Sequence, residues 1–261
     1  MNVTSHSVGD LLRGWRQRRR MSQLDLASNA EISQRHLSFL ESGRSMPSRE
    51  MILRLARYLE IPSRERNALL TAAGFAPVYR ERPLSDPALT SARNAVELVL
   101  KGYSPFPALA VDRHWSLLAA NDAVAHFLVG VDERLLAPPL NVLRVSLHPD
   151  GMARRIENLA EWREHILTRL RHQITVSADP ALSRLYDELE AYPAPHASGP
   201  KSDYESVAVP LRIRSDVGVL SFLSTTTVFG TPVDITLSEL AIEAFLPADT
   251  ATADALRSLA S

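Results

Sequence analysis

The sequence predicts two units of different class, an all-α N-terminal unit of five helices and an α+β unit with a mostly antiparallel sheet. Three observations carry this expectation. From Val8 to Ala73 apolar residues recur at helical spacing, and Ser22, Ser33, Ser48 and Ser63 stand where helices should open. After Pro105 and Pro107 the apolar runs shorten to strand length. Charge also divides along the chain. Residues 1–82 hold 14 Arg, no Lys and 8 acidic residues, a balance of +6, whereas residues 83–261 hold 15 basic and 22 acidic residues, a balance of −7. A length of 261 residues suits two such units.

In the first unit, the spacing predicts a helix over Val8–Arg20 that buries Leu11, Leu12 and Trp15 and ends in the basic run Arg16–Arg20. Ser22 with Asp25 three residues on makes a short capping box for a second helix. Ser33 caps a third, which stops at Ser42-Gly43, and Ser48 opens a fourth that runs through Leu59. Ser63 opens a fifth that ends at Gly74. The prolines Pro77, Pro83 and Pro87 mark a boundary, so the expected plan is 1–76, a linker over 77–86, and a second unit over 87–261.

The second unit should begin with a helix capped at Asp86-Pro87 and running to Lys101. Ala108–Val111 and Trp115–Ala120 read as a hairpin around Asp112-Arg113-His114, and Asn121 opens a helix to Leu128. A long helix is expected from Asp150 to Gln173, and another from Asp179-Pro180 to Ala191. A loop follows over Tyr192–Pro200, then strands over Val207–Arg214 and Val217–Phe229. Ile235–Leu246 mixes two periods; its second half is expected to be a strand ending at Pro247, ahead of a last helix from Asp249.

Composition excludes several function classes. The absence of cysteine removes disulfides, thiolate metal sites and cysteine nucleophiles. No apolar stretch reaches membrane-spanning length and the first ten residues are too polar for a secretory leader, so a cytoplasmic protein without a membrane partner is expected. Neither a phosphate-cradling glycine loop nor a nucleophile elbow is present. Glu161, His165 and His172 share a helix face and with His148 offer metal-binding atoms, but no compact ligand motif links them. The expectation is therefore no metal, no resident cofactor and no catalysis.

Residues 22–41 have the shape of a DNA-reading motif. Ala27 is small where two helices cross, Ile32 is an apolar plug after the turn, and Leu37 and Leu40 form the core face. At 100° per residue, Arg35 and Phe39 then point outward, with Ser38 beside them and Gln34 and His36 on the flanks. Arg suits guanine and Gln suits adenine, while Gln23, at the start of the preceding helix, suits a phosphate. A helical protein–protein module has the same periodicity. The motif, however, resembles the lambda-repressor-like (Xre-type) helix-turn-helix family over residues 8–74, through Ser22-Gln23-x-x-Leu26-Ala27, Ile32-Ser33, Leu37-Ser38, Leu40-Glu41-Ser42-Gly43-Arg44 and Pro47-Ser48. That resemblance implies a recognition helix at Ser33–Glu41 in the major groove of double-stranded operator DNA. It implies as well that Gln23, Gln34 and Arg35 stand at contact positions, and Ser33, His36, Ser38, Phe39 and Arg44 complete the expected DNA-binding set. It also implies an internal ion pair between Arg16 and Glu41. Glu31 departs from the usual glycine of the turn, which should strain or alter it.

From Leu84 onward the chain resembles the ligand-binding domain of MmyB-like regulators, a PAS-like fold. The segments that carry the likeness include Val111-Asp112-Arg113-x-Trp115, Asn141-x-Leu143-Arg144, His148-Pro149-Asp150-Gly151, Asn158-Leu159-Ala160-Glu161-Trp162-Arg163 and Phe229-Gly230-Thr231-Pro232. The resemblance implies a homodimeric transcription regulator whose second domain holds a fatty-acid-like lipid as effector. Trp115, Trp162, Phe222 and Phe229 are the expected lining, with Arg144 or His148 at the ligand's polar end. The competing class is an enzyme or protein-interaction factor carrying a DNA-binding anchor.

Overall fold

The computed structural model describes residues 7–193, 209–230, 232 and 234–259. It divides into two compact units, Met1–Glu81 with Val233–Ile235, and Arg82–Pro232 with Thr236–Ser261.

The first unit consists of α1 (Val8–Arg18), α2 (Gln23–Asn29), α3 (Gln34–Glu41), α4 (Arg49–Tyr58) and α5 (Ser63–Ala72). Side-chain oxygens cap the first four. Ser7 accepts from the Asp10 amide, Ser33 from His36 and Ser48 from Met51, and Ser22 forms a complete capping box with Asp25. Each such cap satisfies amides left over at a helix start and contributes on the order of 1 kcal/mol. Ser63 differs from expectation: it is the first helical residue after Pro62, and no side-chain cap forms there. Leu11 is only half-buried, because α1 turns Leu12 and Trp15 to the core instead. Leu12, Leu26, Leu37, Leu40, Leu55 and Leu70 are all 0% exposed and make one centre from all five helices. Burying each is worth about 1.5–3 kcal/mol.

Gly9 lets α1 cross the end of α3 in direct contact. A Cβ there would lie 2.5 Å from the Leu40 carbonyl oxygen and 2.8 Å from that of Glu41. The turn between α2 and α3 keeps its left-handed residue although glycine is missing, since Glu31 adopts φ 54°. The strain is taken up in place, and the turn closes through amide bonds from Glu31 to Ser28 and from Ile32 to Ala27.

The second unit opens with a 3-10 turn at Pro87–Leu89, capped by Asp86, and continues into α6 (Thr90–Gly102). The sheet begins with β1 (Ala108–Val111) and β2 (Leu117–Ala120). Trp115 lies outside β2, contrary to expectation. The Asp112 carboxylate accepts from the amides of His114 and Ser116, which forces a tight loop with Trp115 at φ 67°. After a 3-10 turn come α7 (Ala125–Leu128), α8 (Glu133–Leu136) and α9 (Val142–Leu147). The last two were not foreseen, although Asp132 and Asn141 cap them.

The helix expected from Asp150 is interrupted. Met152–Arg155 form a 3-10 turn and Ile156 bridges to Ile213 across the sheet edge; only then does α10 (Leu159–Ser177) begin. Pairing with the sheet overrides helical propensity at this point. Ala178 closes α10 at φ 60°, and α11 (Pro180–Glu190) follows, capped by Asp179. The remaining elements are β3 (Leu211–Ser215), β4 (Gly218–Val228), α12 (Ile235–Ser238), β5 (Ala241–Pro247) and α13 (Thr250–Leu259). Most of the loop expected over Tyr192–Pro200, and Val207 and Ala208 of the next strand, lie outside the described residues.

The five strands run in the order β2-β1-β5-β4-β3 and every pair is antiparallel. This is the α+β arrangement expected for the second unit. On one sheet face Val96 and Leu100 of α6 meet Ala108, Ala110, Ile242 and Ala244. The other face holds the main core, with residues of α7, α9, α10, α11 and α13 over β1, β3 and β4. Alternation along β5 therefore sends Glu243 and Phe245 toward the larger core while Ile242 and Ala244 face α6.

Candidate functional site

Two places have the makings of a site, one in each unit. The first is the outer side of α3. Ser33, Gln34, Arg35 and Arg44 are exposed, and His36, Ser38 and Phe39 are half-buried. The Phe39 ring lies 5.4 Å from the Arg35 guanidinium and 5.8 Å from that of Arg44. An aromatic ring thus holds two cations on the same stretch of surface, at a helix rich in hydrogen-bond donors. The Ser33 hydroxyl is engaged in capping its own helix.

Gln23 is tied inward: its side-chain amide donates to Glu41 Oε2 at 2.9 Å. Glu41, 1% exposed, also accepts from Arg16 Nε at 2.6 Å and Nη2 at 2.8 Å. Burial raises the Glu41 carboxyl, but hydrogen bonds from Arg16 and Gln23 outweigh it and hold the group below the usual carboxylate range. The basic run after Trp15 is partly structural as well. Arg19 donates to the carbonyls of Leu59 at 2.8 Å and Glu60 at 3.1 Å, so this cation is fastened at the end of α4.

The second place is a cavity inside the other unit, between the sheet and α10, with a volume of about 70 Å³. Trp115 and Trp162 form part of its wall. Trp115 is fixed by a hydrogen bond from Nε1 to Gln173 (2.9 Å), and Trp162 by one to the Ser146 hydroxyl (3.0 Å). Phe222 lies behind the wall, 0% exposed, with its ring edge-on to Phe127 at 5.3 Å. Phe229 packs with the α6 cluster on the opposite sheet face. Arg144 and His148 do not line the cavity. Arg144 forms a bidentate pair with Glu188, both contacts 2.8 Å, and His148 sits edge-on to Tyr192 at 5.0 Å.

The charged part of the cavity wall is made instead by Arg169 of α10 and Glu243 of β5, with Ser146 and Ser224 as further polar residues; none of the four belongs to the expected lining. Arg169 donates to both Glu243 oxygens, at 2.9 and 3.1 Å, and stands 4.9 Å over the Trp115 ring. The sequence held a signal for each. Trp162, Ile166, Arg169 and Gln173 fall on one helix face, and Glu243 is a lone charge in the run Ala241–Leu246. Of the histidines on α10, His165 stacks on Trp162 at 5.3 Å, and burial followed by the Arg169 charge lowers its pKa. Among the described residues no group of three or more His, Asp or Glu is placed to hold a metal ion.

Two family models match the chain, one for each part of it. The family model of the MmyB-like transcription regulator ligand binding domain matches residues 92–259, well over half of the chain. The chain belongs to this family. A helix-turn-helix domain model matches residues 7–69, which contain α1 to α4 and most of α5. This member of the MmyB-like family is thus a DNA-binding transcription regulator with a ligand-binding domain. Among solved structures, the crystal structure of the clp gene regulator ClgR from Corynebacterium glutamicum is similar at 23% identity, over 40% of this chain and 97% of that one, with a TM-score of 0.24. No curated protein matches the chain.

Proposed function

We propose that this regulator reads operator DNA with α3 and senses a small apolar molecule with a fatty-acid-like chain in the cavity beside α10. The observation that carries the sensing half is the cavity itself, walled largely by apolar side chains with two fixed tryptophans and a single charged pair. For the DNA half, Gln34 and Arg35 are the base-reading side chains, and Ser38, Phe39, His36 and Arg44 surround them. Gln23 and Ser33 act at the phosphates from two helix N-termini. The working division is a DNA-binding domain over 1–76, a linker over 77–86 and a ligand-binding and dimerisation domain over 87–261, in a cytoplasmic homodimer.

Volume sets a condition on this reading. A cavity of about 70 Å³ is under half the ~150 Å³ that admits benzene in an engineered apolar core. An acyl chain must therefore widen it, and Phe127, in the wall between the Phe222 and Phe245 rings at 5.3 and 5.1 Å, is the side chain placed to yield. Native mass spectrometry of the chain purified from its own cells is the test. Retention of one molecule of a few hundred daltons, released on denaturation, is the expected result. A ligand-free mass together with an unchanged gel shift after adding extracted lipids would remove the sensing half and leave the DNA half standing.

A further inference from the structure

The charged pair in the cavity wall bears on what the ligand's polar end can be. Arg169 and Glu243 are the charged side chains among its lining. They neutralise each other in a two-point bond, and the Thr226 hydroxyl, opposite Glu243 in the β4–β5 register, donates to Glu243 Oε1 at 2.8 Å. Glu243 is 4% exposed at its side chain, against 30% for Arg169. The Trp115 ring, itself tied to Gln173, lies 4.9 Å from the guanidinium. The cation that would ordinarily receive a lipid carboxylate is thus already occupied by a carboxylate of the protein.

We propose that the cavity selects an uncharged amphiphile, a long-chain alcohol, amide or ester, and discriminates against the free fatty acid. This rests on the cavity being the effector site. A ligand carboxylate has two options here, both unfavourable. If it takes Arg169 from Glu243, a deeply buried carboxylate is stranded without its cation. If it leaves the pair intact, it lies beside a like charge in low-dielectric surroundings. A neutral oxygen meets neither penalty. Arg169 makes three hydrogen bonds to Glu243 and Thr226 from a group with five N–H donors, which leaves donors for a hydroxyl or carbonyl oxygen without displacing Glu243.

The experiment uses the full chain at pH 7.5 with decanol, decanamide and decanoate, read by calorimetry and by tryptophan fluorescence, since two of the three tryptophans wall the cavity. Decanol and decanamide should bind at least tenfold more tightly than decanoate. In Glu243→Gln, decanoate should gain tenfold or more while decanol stays within threefold, because Arg169 is then free to receive a carboxylate. That exchange separates the proposal from the general reluctance of an ion to leave water, which the substitution does not change. Decanoate binding as tightly as decanol to the wild-type chain overturns the proposal, as does a Glu243→Gln chain with no gain for decanoate. Should that variant not fold, the wild-type ranking decides. Binding of none of the three compounds would instead take down the effector-site reading itself, and this proposal with it.

Discussion

Removing Glu41 should destabilise the first unit by several kcal/mol, whatever it does to the DNA contacts. Glu41 is 1% exposed and accepts three hydrogen bonds, two from Arg16 and one from Gln23, with Arg13 a further 3.8 Å contact. In Glu41→Ala the Arg16 side chain, 11% exposed, loses its counter-ion and the Gln23 amide its acceptor. Breaking such a buried pair on one side typically costs about 3–5 kcal/mol. For a unit of this size each kcal/mol moves Tm by about 4–8 °C, so a drop of about 12 °C or more is expected. Far-UV circular dichroism during heating measures it. The double variant Arg16→Met/Glu41→Leu supplies the control, because it strands no charge and should recover a large part of the loss. The pH dependence has a defined sign. The folded-state pKa of Glu41 is lowered, so its contribution is complete above the ordinary carboxylate value of about 4.3 and fades as pH falls through the lowered folded value. A Glu41→Ala chain that melts within 2 °C of wild type would refute this reasoning, whatever happens to its DNA binding.

Three further outcomes are expected. Given the +6 balance of residues 1–82, DNA affinity should fall by roughly tenfold or more between low and physiological salt, and a flat response in fluorescence anisotropy would contradict it. Arg35→Ala should relax base preference at one position per half-site by about 1–3 kcal/mol, whereas Gln23→Ala should weaken specific and random DNA alike and also cost about 1 kcal/mol of stability through its lost bond to Glu41; competition binding on both DNAs, with a melt, tells them apart. Glu31→Gly should raise stability by about 0.5–1 kcal/mol, since glycine takes φ 54° without the Cβ clash; an unchanged or lower urea midpoint would show that the turn carries no strain.

The N-terminal unit was legible because its determinants are local. Caps such as Ser22 with Asp25, the stop at Gly43 and the i, i+3 pairing of Leu37 with Leu40 all act within one or two helical turns. Ser63 is the exception: its type suits a cap, but Pro62 stands before the helix and offers no acceptor. In the second unit, strand ends and the helix start near Leu159 depend on partners far along the chain. Ile156 is held by Ile213, and Trp115 is turned out of β2 by the Asp112 loop. The cavity lining suffered most from this. Aromatic residues were a fair guide for Trp115 and Trp162, yet Phe229 fell on the other sheet face through a register that no local pattern fixes. Arg144 reads in the sequence as a cation open to a ligand, but its partner Glu188 lies 44 residues away on α11.

On the proposed effector-site reading, the charge pair in the cavity wall also suggests how binding there can be converted into a response. A ligand shifts an equilibrium only by its unequal affinity for two states, and the shift is reciprocal between ligand and DNA. A tenfold change in DNA affinity needs about 1.4 kcal/mol of such inequality. Glu243 lies on β5 between Leu109 of β1 and Thr226 of β4, and its carboxylate accepts from the Thr226 hydroxyl across the β4–β5 pair. A hydrogen bond to a charged group contributes about 1.5–3 kcal/mol, so one from Arg169 to the ligand, made in a single setting of the otherwise intact pair, covers that inequality. A response of tenfold therefore needs no large opening of the domain, only two ligand-dependent settings of the Arg169–Glu243 bond. Glu243→Gln, which keeps the side chain's shape but removes its charge, should accordingly flatten the ligand dependence of DNA binding while leaving ligand-free DNA affinity within threefold of wild type. A variant that still responds fully to ligand would place the switch elsewhere in the cavity wall, with Phe127 the next side chain to test.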